Sequence, residues 1–379
     1  MVVLVRFRAH FQCSGYQGSL PKGGADFALG CGWFAPLVLR SGSARLISER
    51  SLAGIQDIRY SRGLSNEINS WSFMSNLPDV FEPDSPLTEM LVVEFLYDHK
   101  PTISKEALRA NLRLHMPDSE LVGTGEQTLL IAHNDCISEF TDGKVPAQTA
   151  VLLASGAPKF ELFRPSLMQT FGWSESADIV RKCTHMVLVT ELMSRTLEPQ
   201  DRVRVFHNTV ATLLATAPPL AIRCLHSHCL VNPQTIKRCV DFLSKPDLTL
   251  VFNIRMFKLG DTDSNTFVMD TCGLATLGLP DLQVHFQELD TSEIATFLYN
   301  LGHYIFQNGD CIEDGHTVQG LSVDQRWRCQ HEMAMIGPKR IVVDVDSGEF
   351  AAGDRNREAG VPSGGGGKFG RIKKWMGLG

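Results

Sequence analysis

An α+β fold, with mixed or mainly antiparallel sheets, packed helices and two αβ halves, is what this sequence predicts. Short runs rich in β-branched and aromatic residues come as adjacent pairs joined by turn residues, which is hairpin chemistry. Other such runs are separated by amphipathic helical stretches. The two patterns mix without strict strand–helix alternation and without an internal repeat, which argues against a doubly wound parallel sheet.

The elements follow in order. EMLVVEFLY at 89–97 reads as a strand. Ser104 then starts a helix to about His115, with Leu108, Leu112 and Leu114 on its apolar side. Gly123-Thr124-Gly125 joins 120–122 to 127–132 as a hairpin, and 147–153 is the next strand. A helix over 174–183 leads into an apolar strand at 185–190. The stripe Val203, Phe206, Val210, Leu213 and Leu214 marks a helix over 198–215. A strand at 221–226 and a helix at 233–243, with Pro near its first turn, come next. Strands at 248–259 and 266–271 flank a turn at 260–264, and 282–289 alternates as a strand should. Asp290 or Thr291 caps a helix to about Gln307, with Ser292 the weaker alternative. Short strands at 317–321, 328–335 and 340–345 close the body.

Charge divides the chain. The net value is −6, with +4 on residues 1–73, +4 on residues 368–379, and therefore −14 between them. An acidic body lacks the clustered Lys/Arg that a phosphate-tracking surface needs, so no nucleic acid is expected. No stretch is apolar enough for an integral membrane span. Ten cysteines scattered through apolar stretches of a long chain read as reduced, buried thiols, and a cytoplasmic location is the expectation.

Four segments follow. Residues 1–73 lack persistent periodicity and read as disordered or as a spurious extension, with Met74 as the expected true start; their apolar run is wrongly placed for a signal peptide. Residues 74–245 form an N-terminal α/β half and 246–346 a C-terminal α+β domain. Residues 347–379 are a Gly-rich linker and a basic tail, in which Phe369, Ile372 and Trp375 sit among four cations. That tail is a frayed end by default, with weak contact to an anionic surface as its functional alternative.

Three stretches carry a resemblance: LTLVFNIRMFKLGDTDSNTFVMDTCGLATLGLPDLQVHFQEL, ATFLYNLGHYIFQNG and EDGHTVQGLS. Upstream, ADIVRKCTHMVLVTEL and NTVATLLATAP belong with them. Over roughly 89–346 the chain resembles domain-of-unknown-function family 4261, a bacterial group. The resemblance implies an α+β fold organised around TCGLATLGLPDLQV, and no chemistry. AIRCLHSHCL departs from the aromatic, apolar strand expected there, which counts against a shared metal site.

Two clusters are candidates for chemistry. Cys224, His226, His228 and Cys229 would supply soft ligands, with the first three on one face if the segment is a strand and Cys239 as a fourth ligand only after folding. No structural zinc spacing accompanies them, and buried cysteines usually serve as small hydrophobes. Asp310, Glu313, Asp314 and His316 could bind a divalent cation or do acid–base work, although Asp-Gly is first a turn signal. Asp261 to Asn265 reads as a capped hairpin connection, and His133 with Cys136 does not form a dyad along one strand. No nucleophile elbow or phosphate loop is present, and no cofactor is called for. The leading expectation is a non-enzymatic binding or structural module with a protein or small-molecule partner. The alternatives are a metal-assisted hydrolase at 310–316 and an adaptor tethered by its tail.

Overall fold

The computed structural model describes residues 79–153, 157–236, 246–259 and 265–352. All described residues lie in one compact unit, Asn69–Gly379. Residues 1–73, the turn 260–264, most of the helix expected at 233–243, and the basic tail fall outside the described residues.

Two sheets organise this unit. The first has seven strands, β1 (Val92–Tyr97), β2 (Ser119–Thr124), β3 (Thr128–Phe140), β4 (Gly143–Leu153), β5 (His185–Leu192), β6 (Ala221–Cys224) and β7 (Cys229–Val231). Their order is β2-β3-β4-β5-β1-β6-β7, antiparallel throughout. The second has six, β8 (Asn253–Leu259), β9 (Thr266–Cys272), β10 (Asp281–Gln287), β11 (Thr317–Gln319), β12 (Arg326–Met333) and β13 (Ile341–Asp346), in the order β11-β12-β13-β10-β9-β8. Only β10 and β13 pair in parallel, because a helix and the β11–β12 hairpin intervene between them. The fold is α+β with mainly antiparallel sheets, as the mixed hairpin and helix pattern predicts.

The helices among the described residues are α1 (Lys105–His115), α2 (Arg164–Met168), α3 (Ser176–Lys182), α4 (Pro199–Thr216) and α5 (Thr291–Asn308). Ser104 caps α1 by accepting from Ala107 N–H, and Asp290 caps α5 by accepting from Ser292 and Glu293 N–H. α4 runs through the interior, touching both α1 and α5. One apolar core spans both sheets, from Val93, Phe95 and Val189 through Val203 and Phe206 to Val284, Ile294 and Val343. β1 is buried at all six positions, which explains its unbroken apolar reading. Its single charge, Glu94, meets Arg223 at 2.6 Å.

A buried ion pair ties β5 to α4. Glu191 of β5 accepts from Leu91 N–H at 2.6 Å, Ser194 Oγ at 2.6 Å and Arg202 Nε. Arg202 also donates to the carbonyls of Thr276 and Glu89. Both side chains are at most 5% exposed.

Several expected boundaries move: the strand expected at 127–132 runs on to Phe140 and its partner begins at Gly143, and two shifts bear on the site. The strand at 221–226 stops at Cys224, and 225–228 is a turn in which His228 has φ +53°. Residues 248–252 form a turn before β8 instead of extending it. Gly273, φ +135°, explains this tight approach: a Cβ there would collide with the Val251 carbonyl oxygen. Beyond 346 the chain stays on the sheet, where Ala351 bridges Phe286 before the described residues end.

Candidate functional site

A cleft of about 660 Å³ lies where one edge of each sheet comes close to the other. β7 forms one side and β8 the other. α5 adds a wall through Thr291, Ser292, Ala295 and Tyr299, and the segment 170–173 between α2 and α3 closes the opposite side. Phe252 anchors the α5 wall: its ring centroid is 5.9 Å from that of Tyr299 and 6.1 Å from that of His303. Gly302 makes room for it, since a Cβ would sit 2.9 Å from the Phe252 ring.

Gln169 holds the opposite side in place. Its side-chain amide donates to Met256 O at 3.3 Å and accepts from Met256 N at 3.0 Å. Asn253 donates to the Gln169 carbonyl at 2.9 Å, and Thr170 Oγ1 accepts from Leu230 N at 2.9 Å. The edges of both sheets are thereby tied to one short segment.

The lining is aromatic and apolar, with Phe171, Trp173, Phe252, Ile254, Met256 and Met269 prominent. Its polar groups are hydroxyls and amides such as Thr170, Asn232 and Asn253. Among the described residues, no Asp, Glu, Lys, Arg or His lines it. The N-terminus of α5 offers no positive end either, because Asp290 already accepts its first free N–H groups.

The acidic cluster of the sequence comes together around a residue the sequence reading missed. His331 of β12 bridges two of its members: Nδ1 meets Asp314 at 2.9 Å and Nε2 meets Asp310 at 3.3 Å. The hydrogen bond to Asp310, and then that to Asp314, hold the imidazolium above its ordinary pKa against the opposing effect of burial. Glu313 and His316 pair with each other instead, at 3.5 Å on the exposed side of the turn. With both nitrogens of His331 occupied by carboxylates, neither is open to a substrate proton.

The Cys224–Cys229 segment separates in space. His226 is 1% exposed and its ring is held by backbone on both sides. Nε2 donates to Leu250 O at 2.8 Å, and Nδ1 accepts from Val92 N at 3.2 Å. His228 turns toward Phe81, with ring centroids 5.6 Å apart, and stands 3.4 Å from Arg255. Cys224 and Cys229 face each other as register partners of β6 and β7. Among the described residues no group of three or more His, Cys, Asp or Glu side chains is placed to hold a metal ion.

A buried four-charge network lies beneath β8 to β10. Asp270 accepts from Arg255 at 2.5 Å and Arg340 at 2.7 Å, and Asp281 accepts from Arg340 at 2.9 Å. Asp281 also accepts from Thr271 Oγ1 and from the N–H groups of Gly273, Leu274 and Ala275. Two cations and two anions balance, and all four side chains are at most 1% exposed. The network fastens the TCGLATLG turn to the start of β13.

That turn opens the segment for which the comparisons return a match. Residues 270–346 match the family model described as Domain of unknown function (DUF4261). The DUF4261 segment runs from within β9 to the end of β13, so it holds Asp270, Asp281, Arg340, all of α5 and the His331 cluster. Arg255 of the network, and the part of the resemblance expected over 89–269, lie upstream of it. Of the cleft, the DUF4261 segment supplies only the α5 wall. Comparison with curated proteins and with solved structures finds no match. Among the described residues, no helix is long and apolar enough to cross a membrane.

Proposed function

We propose that this chain is a non-enzymatic binding module whose cleft between β7 and β8 receives a neutral, largely apolar small molecule. The observation that carries this reading is the lining. It combines aromatic and thioether surface with a few hydroxyl and amide groups and one thiol, and among the described residues it carries no Asp, Glu, Lys, Arg or His. Small-molecule sites have this composition and fall in the range of roughly 300–1,000 Å³. The free state of the seven described cysteines agrees with a reducing, intracellular setting.

Titration with Nile red, a neutral dye that brightens in apolar surroundings, tests the reading on the full chain. Saturable binding near one dye per chain is expected. It should be lost in Ala295→Trp, which fills the α5 wall, while far-UV circular dichroism stays unchanged. Unsaturable binding, or binding untouched by that substitution, would remove the cleft as the ligand site. A second reading is a metal-assisted hydrolase at 310–316, where Asp310 and Asp314 converge on His331. About one divalent ion per chain in the same preparation, lost with Asp310→Asn, would put that reading first.

A further inference from the structure

We propose that Cys224 and Cys229 form a redox dithiol, open to small disulfides through the cleft. The inference goes beyond ligand binding and does not require it.

Geometry comes first. The two residues are direct partners across antiparallel β6 and β7, on either side of the 225–228 turn. Opposite residues in such a ladder have Cα atoms about 4.5–5.5 Å apart. Disulfides span about 4.4–6.8 Å between Cα atoms, so a cross-strand pair of this kind falls within their range. Both side chains lie on the sheet face that contributes to the main core, alongside Ile222 and Val231. Access is one-sided: Cys229 lines the cleft, whereas Cys224 is fully buried behind it.

Chemistry assigns the roles. The Cys229 thiol is lowered from its ordinary pKa because Cys224 hydrogen-bonds to it, with Ser227 contributing, and despite burial. Cys224 is pushed up by the same hydrogen bond and by burial. The other buried thiols behave differently: burial raises Cys136, Cys183 and Cys272 to about 11 and Cys329 to about 12. A thiolate is the attacking species in exchange, and only Cys229 of the pair lines the cleft, so Cys229 is the nucleophile and Cys224 the resolving thiol.

The reaction balances with a small disulfide, RSSR, as the oxidant. The Cys229 thiolate attacks one sulfur, the S–S bond breaks, and RS⁻ leaves, giving a mixed disulfide on Cys229. Cys224 then loses its proton and attacks Cys229 Sγ, and the second RS⁻ leaves. The protein has lost two protons and two electrons, and RSSR has taken them up to become two RSH.

Glutathione disulfide is the probe. The reduced full chain is incubated with it, acid-quenched, alkylated and digested with trypsin. Cys224 and Cys229 fall in one peptide, 224–237, while the exposed Cys311 serves as an internal comparison. The expected result is a peptide lighter by two hydrogens that loses both alkylation sites and regains them with dithiothreitol. Cys224→Ser should trap a glutathione adduct on Cys229, and Cys229→Ser should leave the peptide without any adduct. If both thiols stay alkylatable while Cys311 already carries glutathione, the proposal is overturned. The wild-type result decides this even if a variant does not fold. Nile red binding is scored separately, so failure of either reading leaves the other standing.

Discussion

Two histidines give the protein opposite pH dependences. His133 sits 2.8 Å from Ser119 Oγ and 2.9 Å from Thr149 Oγ1, and burial lowers its pKa to about 4. Between pH 6.5 and 4 the unfolded chain takes up a proton that the folded ring refuses, so stability falls with pH by up to about 3 kcal/mol. His331 works the other way. Its raised pKa means that its contribution is complete below the ordinary value and disappears as pH rises through the folded one. Urea midpoints across pH 4–9 should therefore separate His133→Asn, which flattens the acid limb, from His331→Gln, whose deficit is largest at low pH and shrinks above neutrality. Of the cluster around His331, the sequence made only the acids visible. Asp310 and Asp314 stand out as a cluster, but their partner lies across a strand pairing that no local pattern encodes. His226 looked like a ligand because its neighbours are soft donors. Its ring instead satisfies buried backbone groups at positions 92 and 250, which are far apart in the sequence.

At the scale of elements, helices and central strands were the legible parts. Ser104 and Asp290 announce α1 and α5 by cap chemistry, and the stripe on α4 gives its buried face. Boundaries near 224 and 252 were not legible, because tertiary contacts set them: the first by hairpin register, the second by Gly273 against Val251. The cleft was invisible for the same reason. It draws on five separate stretches with no shared motif. The pairing of α4 with β5 through Arg202 and Glu191 has a measurable consequence. Arg202→Met leaves Glu191 charged, buried and without its cation, and should cost about 3–5 kcal/mol in chemical unfolding. The double variant Arg202→Met/Glu191→Leu should recover much of that loss. Equal damage in the single and double variants would mean that packing, rather than the uncompensated charge, sets the cost.

For the whole molecule, fold class was read correctly because hairpins and helix-separated strands leave different local signs. The sharing of strands between two sheets was not legible, since β1 pairs with β5 and β6 across long intervals of chain. The same arrangement leaves sheet edges at β7 and β8, and the Gln169 amide meets the Met256 peptide where a neighbouring strand would. Unprotected edges of this kind recruit other chains. Gln169→Ala should bare the Met256 donor and acceptor together and shift the protein toward dimers or larger species in size-exclusion chromatography, with the native circular dichroism retained. An unchanged elution volume would show that the remaining edge is already guarded. One glutamine side chain, by imitating a peptide group, thus acts as a counterfeit strand at the β8 edge.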